Sequence, residues 1–245
     1  MKICAIQFCP VAGDMAANIA RHLRFIELAA AEGVDLVFFP ELSLTGYEPR
    51  LAKQLATHAS DSRLDRFQER SDAGGIAIGL GLPLASEGGV QIGMVWFTPR
   101  ESRRSYAKQL LHFDELPFFV PGDSPLVLEM GGLSLAPAIC FESLQPAHAE
   151  SAAKLGAQVY LASVAKPARG ISQAALHYPA IARQHRMHVV MANSIGPSDD
   201  FVSAGQAAAW NDHGELLVQM DGESEGLVTF DTSTGDARMR STPKV

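Results

Sequence analysis

Cysteine is scarce in this chain: Cys4, Cys9 and Cys140 are the three among 245 residues. No C-x-x-C spacing occurs and no paired framework can be drawn, which excludes a disulfide-stapled scaffold and a dithiol redox motif. Three free thiols in a reducing cytoplasm are the economical expectation. Positive charge is also short, with 20 Lys and Arg against 27 Asp and Glu, a formal net charge of −7. With no basic cluster, nucleic acid and anionic membrane are disfavoured as partners. Long apolar runs are missing as well. Nothing approaches the ~20 residues of a membrane span. The run from Met1 to Phe8 is too short for a signal peptide and is cut off by Pro10 and Asp14.

Motifs for metals and phosphates are absent too. The 8 histidines form no H-E-x-x-H and no Cys/His cluster, so no metal site is expected. Gly74-Gly75 and Gly79-Leu80-Gly81 lack the further glycines and the Lys-Ser/Thr of a phosphate loop, and they read as strand-edge glycines. No repeat, low-complexity tract or Pro/Gly linker divides the chain. One domain over residues 1–245 is expected, with a loose polar arm from about 236 to 245.

What is present is an alternation of short apolar strands and amphipathic helices. Residues 2–8 and 34–39 read as buried strands flanking a helix over 18–31, which Gly33 stops. Helices are expected over 50–59 and 63–73, then strands over 75–80, 91–98 and 103–107. Residues 112–124 form a Pro- and Phe-rich loop in which Phe113, Phe118 and Phe119 are expected to wall a pocket. A hairpin follows over 126–130 and 133–139 across Gly131-Gly132. Beyond it come a helix over 146–155, a strand over 158–161, a helix over 172–187 and a strand over 189–192. Three last strands are expected near 205–210, 215–220 and 226–230. Alternating strands and helices with extra hairpins favour a mixed α/β sandwich.

Three of these strands end on chemistry. Val34-Asp-Leu-Val-Phe-Phe-Pro-Glu41 delivers a carboxylate, because Pro40 cannot continue a central ladder and leaves Glu41 at the tip. The largely apolar stretch that follows it makes Glu41 semi-buried, and burial raises a carboxyl pKa as a general base requires. Ser105-Tyr-Ala-Lys108 delivers an ammonium. Leu135-Ala-Pro-Ala-Ile-Cys140 ends a buried run in a thiol, followed at once by the polar turn Phe141-Glu142-Ser143. Strand tips of α/β sheets open into ligand crevices, so a base, a cation and a nucleophile could share one. A lysine near a cysteine favours the thiolate and stabilises an oxyanion. Taken singly, each residue also has a bland reading: a surface Glu, a solvated Lys, a packed Cys.

Together the blocks Phe38-Phe-Pro-Glu41-Leu-Ser-Leu-Thr-Gly-Tyr47, Tyr106-Ala-Lys108 and Ala138-Ile-Cys140-Phe-Glu142 resemble, in order and spacing, the three catalytic blocks of the nitrilase, or carbon–nitrogen hydrolase, superfamily. Asn18, Phe119-Val-Pro-Gly122, Arg183 and Asn193-Ser-Ile-Gly196 also fit, and the resemblance covers roughly residues 2–230. It implies an α-β-β-α sandwich and a Glu41–Lys108–Cys140 triad, with Glu115 as a supporting second glutamate. The expected chemistry is attack of Cys140 on an amide carbonyl, with Lys108 and the Phe141 N–H holding the oxyanion and water hydrolysing the thioester. Tyr47, Phe119, Glu142 and Ser163 are the expected substrate-pocket residues. The path needs no cofactor.

Phe-Glu-Ser replaces the Trp-Glu-Asn turn of true nitrilases, which favours a small amide or N-carbamoyl substrate over a nitrile. Ser163-Val-Ala165-Lys-Pro replaces the usual Asn/Pro-rich pocket block. N-acyl transfer from the same intermediate, or a non-catalytic ligand-binding role, are the competing readings. A homodimer or higher homo-oligomer is expected through the helices near 146–155 and 172–187.

Overall fold

The computed structural model describes residues 1–243. Its layers follow from the alternation of side chains along the strands. In β1 (Lys2–Gln7), Ile3 and Ala5 face one apolar cluster while Cys4 and Ile6 face another, because successive side chains of a strand point to opposite faces. Both faces are therefore covered. α1 (Met15–Ala31) opens at Asp14, whose carboxylate accepts from the Ala17 N–H at 2.9 Å, an N-cap bond. It lays Ile19, Leu23 and Ile26 on the outer face of the first sheet.

β2 (Leu36–Phe38), α2 (Ala52–Leu55), α3 (Asp65–Gly74), β3 (Ala77–Ser86), β4 (Gly89–Phe97) and β5 (Arg104–Ala107) complete the first half of the chain. The second half contains β6 (Leu128–Met130), β7 (Leu133–Ile139), α4 (Pro146–Lys154), β8 (Val159–Val164), α5 (Ala168–His185) and β9 (His188–Asn193). Then come β10 (Ile195–Ser198), β11 (Phe201–Ala204), β12 (Ala208–Trp210), β13 (Leu216–Gln219), β14 (Glu225–Asp231) and β15 (Ala237–Thr242).

One sheet has the order β15-β14-β1-β2-β3-β4-β5 and the other β13-β12-β9-β8-β7-β6, with β10-β11 as a separate ribbon. The inner faces meet through Ile3, Leu36, Trp96, Leu135, Leu161 and Val190. α1 and α3 cover the outside of the first sheet, and α4 and α5 the outside of the second. This is a mixed α/β sandwich, as the strand and helix pattern predicts, with the α-β-β-α layering that the family resemblance implies. No helix among the described residues is long and apolar enough to cross a membrane.

Three expectations need correction, and one stretch to which the pattern assigned no element is ordered. Residues 50–59 are not one helix: a 3-10 turn and the four-residue α2 give way to an extended Ala56, because Thr57 pairs with the end of β3, its N–H bonded to the Pro83 carbonyl at 3.2 Å. Residues 195–204 are a hairpin, β10-β11. The arm from 236 is a strand, β15, paired with β14 from Phe230↔Ala237 to Glu225↔Thr242; residues 244 and 245 of that expectation lie outside the described residues. Gly79 and Gly81 are inside β3, between β2 and β4, not at an edge.

Candidate active site

Glu41, Lys108 and Cys140 each follow a strand end, the first two on one sheet and the third on the other. Lys108 extends β5, its N–H bonded to the Ile92 carbonyl at 2.8 Å. Its ammonium donates to Glu41 Oε1 at 2.8 Å and to Glu115 Oε1 at 2.6 Å, with all three side chains buried. Glu41 is held by its loop: Leu42 takes a left-handed φ of 50°, and the chain lies directly on β3. A Cβ on Gly81 would come within 2.5 Å of both Pro40 O and Leu42 N. Glycine at 81 is what lets the Glu41 loop sit there.

Cys140 also has a left-handed φ, 45°, a conformation that costs a non-glycine residue energy and occurs at functional turns. Its N–H bonds to the Ser163 carbonyl at 3.0 Å. Its carbonyl accepts from Ser143 N at 3.2 Å and from Ser143 Oγ at 2.5 Å. The thiol donates to Ala165 O at 3.7 Å. The next N–H, of Phe141, makes no hydrogen bond among the described residues.

Burial sets the protonation of the group. It pushes Glu41 up to about 6 despite the opposing pull of Lys108, with Glu115 adding to the rise. Burial alone would lower Lys108, but Glu41 and Glu115 reverse that and keep it charged. The Cys140 thiol is pushed up to about 11 by burial and then by Glu41, against the pull of two lysines. Glu41 Oε2 is buried with no hydrogen-bond partner of ordinary geometry, and the Cys140 thiol interacts with the same carboxyl.

A cavity of about 780 Å³ opens at Cys140, with Tyr47, Phe113, Glu115, Phe141 and Lys166 in its wall. Tyr47 donates to Glu115 Oε1 at 3.0 Å, and Glu115 Oε2 accepts from His112 N at 2.7 Å. Of the expected pocket residues only Tyr47 lines this cavity. Phe119 is buried in the core between the sheets, and of the three phenylalanines of the aromatic loop Phe113 alone reaches the wall.

Glu142 is buried and accepts from Tyr106 Oη and Ile139 N through one oxygen, and from Gln109 N and Leu110 N through the other. It ties the backbone beside Lys108 to the strand end beside Cys140. Ser163 is buried too, its Oγ donating to Phe39 O at 2.8 Å, a stitch between the sheets.

Lys166, two residues past β8, is a site residue that was not anticipated. Its Nζ is 3.1 Å from Cys140 O and 3.8 Å from Cys140 Sγ. The strand-tip reasoning that picked out the other three applies equally to it.

A family model described as carbon–nitrogen hydrolase matches residues 2–240. The chain belongs to the carbon–nitrogen hydrolase family. This carbon–nitrogen hydrolase is 27% identical over 253 residues to a glutamine-dependent NAD(+) synthetase of Rhodobacter capsulatus, covering 99% of the chain and 45% of that relative. It is 29% identical over 227 residues to an (R)-stereoselective amidase of a Pseudomonas species, covering 89% and 80% respectively. The chain spans less than half the length of the NAD(+) synthetases it matches.

Among solved structures, the amidase of Nesterenkonia sp. AN1 superposes with a TM-score of 0.86 at 26% identity, over 94% of this chain and 92% of that one. One variant of that amidase carries the acetamide moiety of fluoroacetamide covalently at its active-site cysteine. Another binds butyramide.

Proposed function

We propose that this chain hydrolyses the C–N bond of a small amide or N-carbamoyl compound through a thioester on Cys140. The observation that carries the reading is a buried Lys108 ammonium bonded to Glu41 and Glu115 at a cavity where Cys140 sits on a strained turn. Glu41 takes the thiol proton, and Sγ attacks the carbonyl carbon. The carbonyl electron pair moves to oxygen, where Lys108 and the unbonded Phe141 N–H receive it. Glu41 then protonates the departing amine, and water, deprotonated by the same carboxylate, releases the acid. Glu115 holds Lys108 in place. The scheme calls for no cofactor. The covalent adduct in the Nesterenkonia amidase supports a cysteine nucleophile.

Ammonia release from butyramide, glutamine, omega-amides and N-carbamoyl compounds tests the reading. Turnover of at least one by the wild type and none by Cys140→Ala is expected. Equal release by both would overturn it. Hydroxylamine added to the same assay traps the thioester as hydroxamate and so reports the acyl-enzyme that hydrolysis and acyl transfer share, while free acid formed without it marks hydrolysis.

A homodimer through α4 and α5 and a cytoplasmic setting belong to the same reading. Leu155, just past α4, and Leu176 on α5 are exposed at 49% and 79%, and all three cysteines are free thiols. Light scattering that shows a monomer at micromolar concentration would count against the dimer.

A further inference from the structure

The cavity wall holds a second buried ammonium that the triad does not account for. Lys166 is 3% exposed, and no carboxylate of the described residues lies within ion-pair distance of it. Burying such a charge without an anionic partner is unfavourable, so its position calls for a reason other than stability. Its Nζ is instead directed at Cys140, to the carbonyl oxygen at 3.1 Å and to Sγ at 3.8 Å.

The chain holds it there from two sides. Asn193 Oδ1 accepts from Lys166 N at 2.8 Å, and Asn193 Nδ2 donates to Lys166 O at 3.3 Å. Gly170, in the first turn of α5, leaves the lane in which the lysine stem lies. A Cβ there would meet Lys166 Cβ at 3.1 Å, Cγ at 3.3 Å and Cδ at 3.5 Å. Glycine is unfavourable inside a helix, and here it makes room for one side chain.

The charge count gives the lysine its meaning. Lys108 alone faces Glu41 and Glu115, one cation against two anions, a field that opposes any further negative charge. Burial lowers the Lys166 pKa while Cys140 and Glu41 pull it back up, and as an ammonium Lys166 brings that sum to zero. Passing the thiol proton to Glu41 then relocates a negative charge from carboxylate to sulfur without adding one, and the sulfur that gains it is the atom beside Lys166. Burial and Glu41 raise the Cys140 thiol, and Lys166 opposes them ahead of Lys108. The other titratable groups around the cavity are Tyr47, His112, Asp114, Arg169, His177 and Asp200.

We propose that Lys166 is a fourth catalytic group, whose ammonium holds the charge of Cys140 Sγ as thiolate before attack and again when the thioester breaks. Lys166 neither gives nor takes a proton. In acylation the proton goes from Sγ to Glu41 and the S–C bond forms. In deacylation the C–S bond breaks and its electron pair returns to Sγ facing Lys166. This rests on Cys140 being the nucleophile of the proposed amide hydrolase, but alkylation reads the thiol without any amide being turned over.

The rate of Cys140 carboxamidomethylation by iodoacetamide, followed against pH by mass spectrometry, is the test. Lys166→Gln keeps a donor for the Cys140 carbonyl and removes the charge. Its alkylation midpoint is expected about one pH unit or more above wild type, about tenfold slower below the midpoint. Gly170→Ala keeps the charge and crowds the stem, and a smaller upward shift is expected. A Lys166→Gln midpoint equal to wild type would overturn the proposal. Should that variant fail to fold, an unmoved Gly170→Ala midpoint would do so. If no amide is turned over by the wild type, the proposed hydrolase fails while these midpoints still report on Lys166.

Discussion

In the proposed mechanism Glu41 sets the pH at which the site works. Burial raises its pKa to about 6, and only the ionised form accepts the thiol proton. The kcat/KM for an amide substrate should therefore climb with pH on a limb centred near 6. Glu41→Gln should erase that limb and lower kcat at least ~10²-fold, as loss of a general base does; a pH–rate profile of both proteins checks this. The same shift bears on stability. A folded-state pKa above the ordinary 4.5 favours folding fully below that value, and the contribution is lost as pH rises through about 6. Ionised Glu41 at working pH is thus a cost the fold carries.

Glu142 answers a different question, since all four of its partners are donors. Gln in its place would turn an N–H₂ toward backbone N–H groups. About 2 kcal/mol of stability should go, the cost of a buried unmatched donor, and Tm should fall by roughly 4–8 °C in a thermal melt. The residue was visible in the sequence only as the polar turn after Cys140, a position that suggested the pocket. Three of its four partners come from β5 and from the chain after it, more than 30 residues away, and no local pattern reveals such a pairing. Glu41 and Cys140 were legible because each breaks an apolar run at a strand end, and Lys108 because it closes a short strand ahead of an aromatic loop. Lys166 ends a run in the same manner, but a lysine is so often a solvated one that composition conceals it.

At the scale of elements, periodicity identified the strands and helices that bury a face, and failed where tertiary pairing competes with local preference. Residues 50–59 have a helical composition, yet Thr57 is drawn into the edge of β3. β15 has exposed side chains at four of its six positions and so reads as an arm, although its backbone pairs along six residues with β14. Ending the chain after Asp236 should leave the site intact but bare the edge of β14, whose residues are buried. A drop of a few degrees in Tm and faster aggregation on warming are expected, since an unpaired edge strand is a template for association. Light scattering during a thermal ramp would show it, and an unchanged onset would mean that the edge is covered by something else.

The whole molecule is two sheets facing each other, with Glu41 and Lys108 on one and Cys140 and Lys166 on the other. The Ser163 Oγ to Phe39 O bond spans the seam two residues before Glu41, and the Ser163 carbonyl accepts from the Cys140 N–H. Removing it with Ser163→Ala should cost about 1 kcal/mol. Each sheet can keep its own hydrogen bonds while slipping slightly past the other, but the proposed catalysis draws on atoms from both. In a urea series, Ser163→Ala should lose ammonia release at a lower concentration than circular dichroism needs to detect unfolding, and the gap should exceed that of the wild type. The active site would then serve as a strain gauge for the seam, with turnover reporting a misalignment of the two halves too small to melt either.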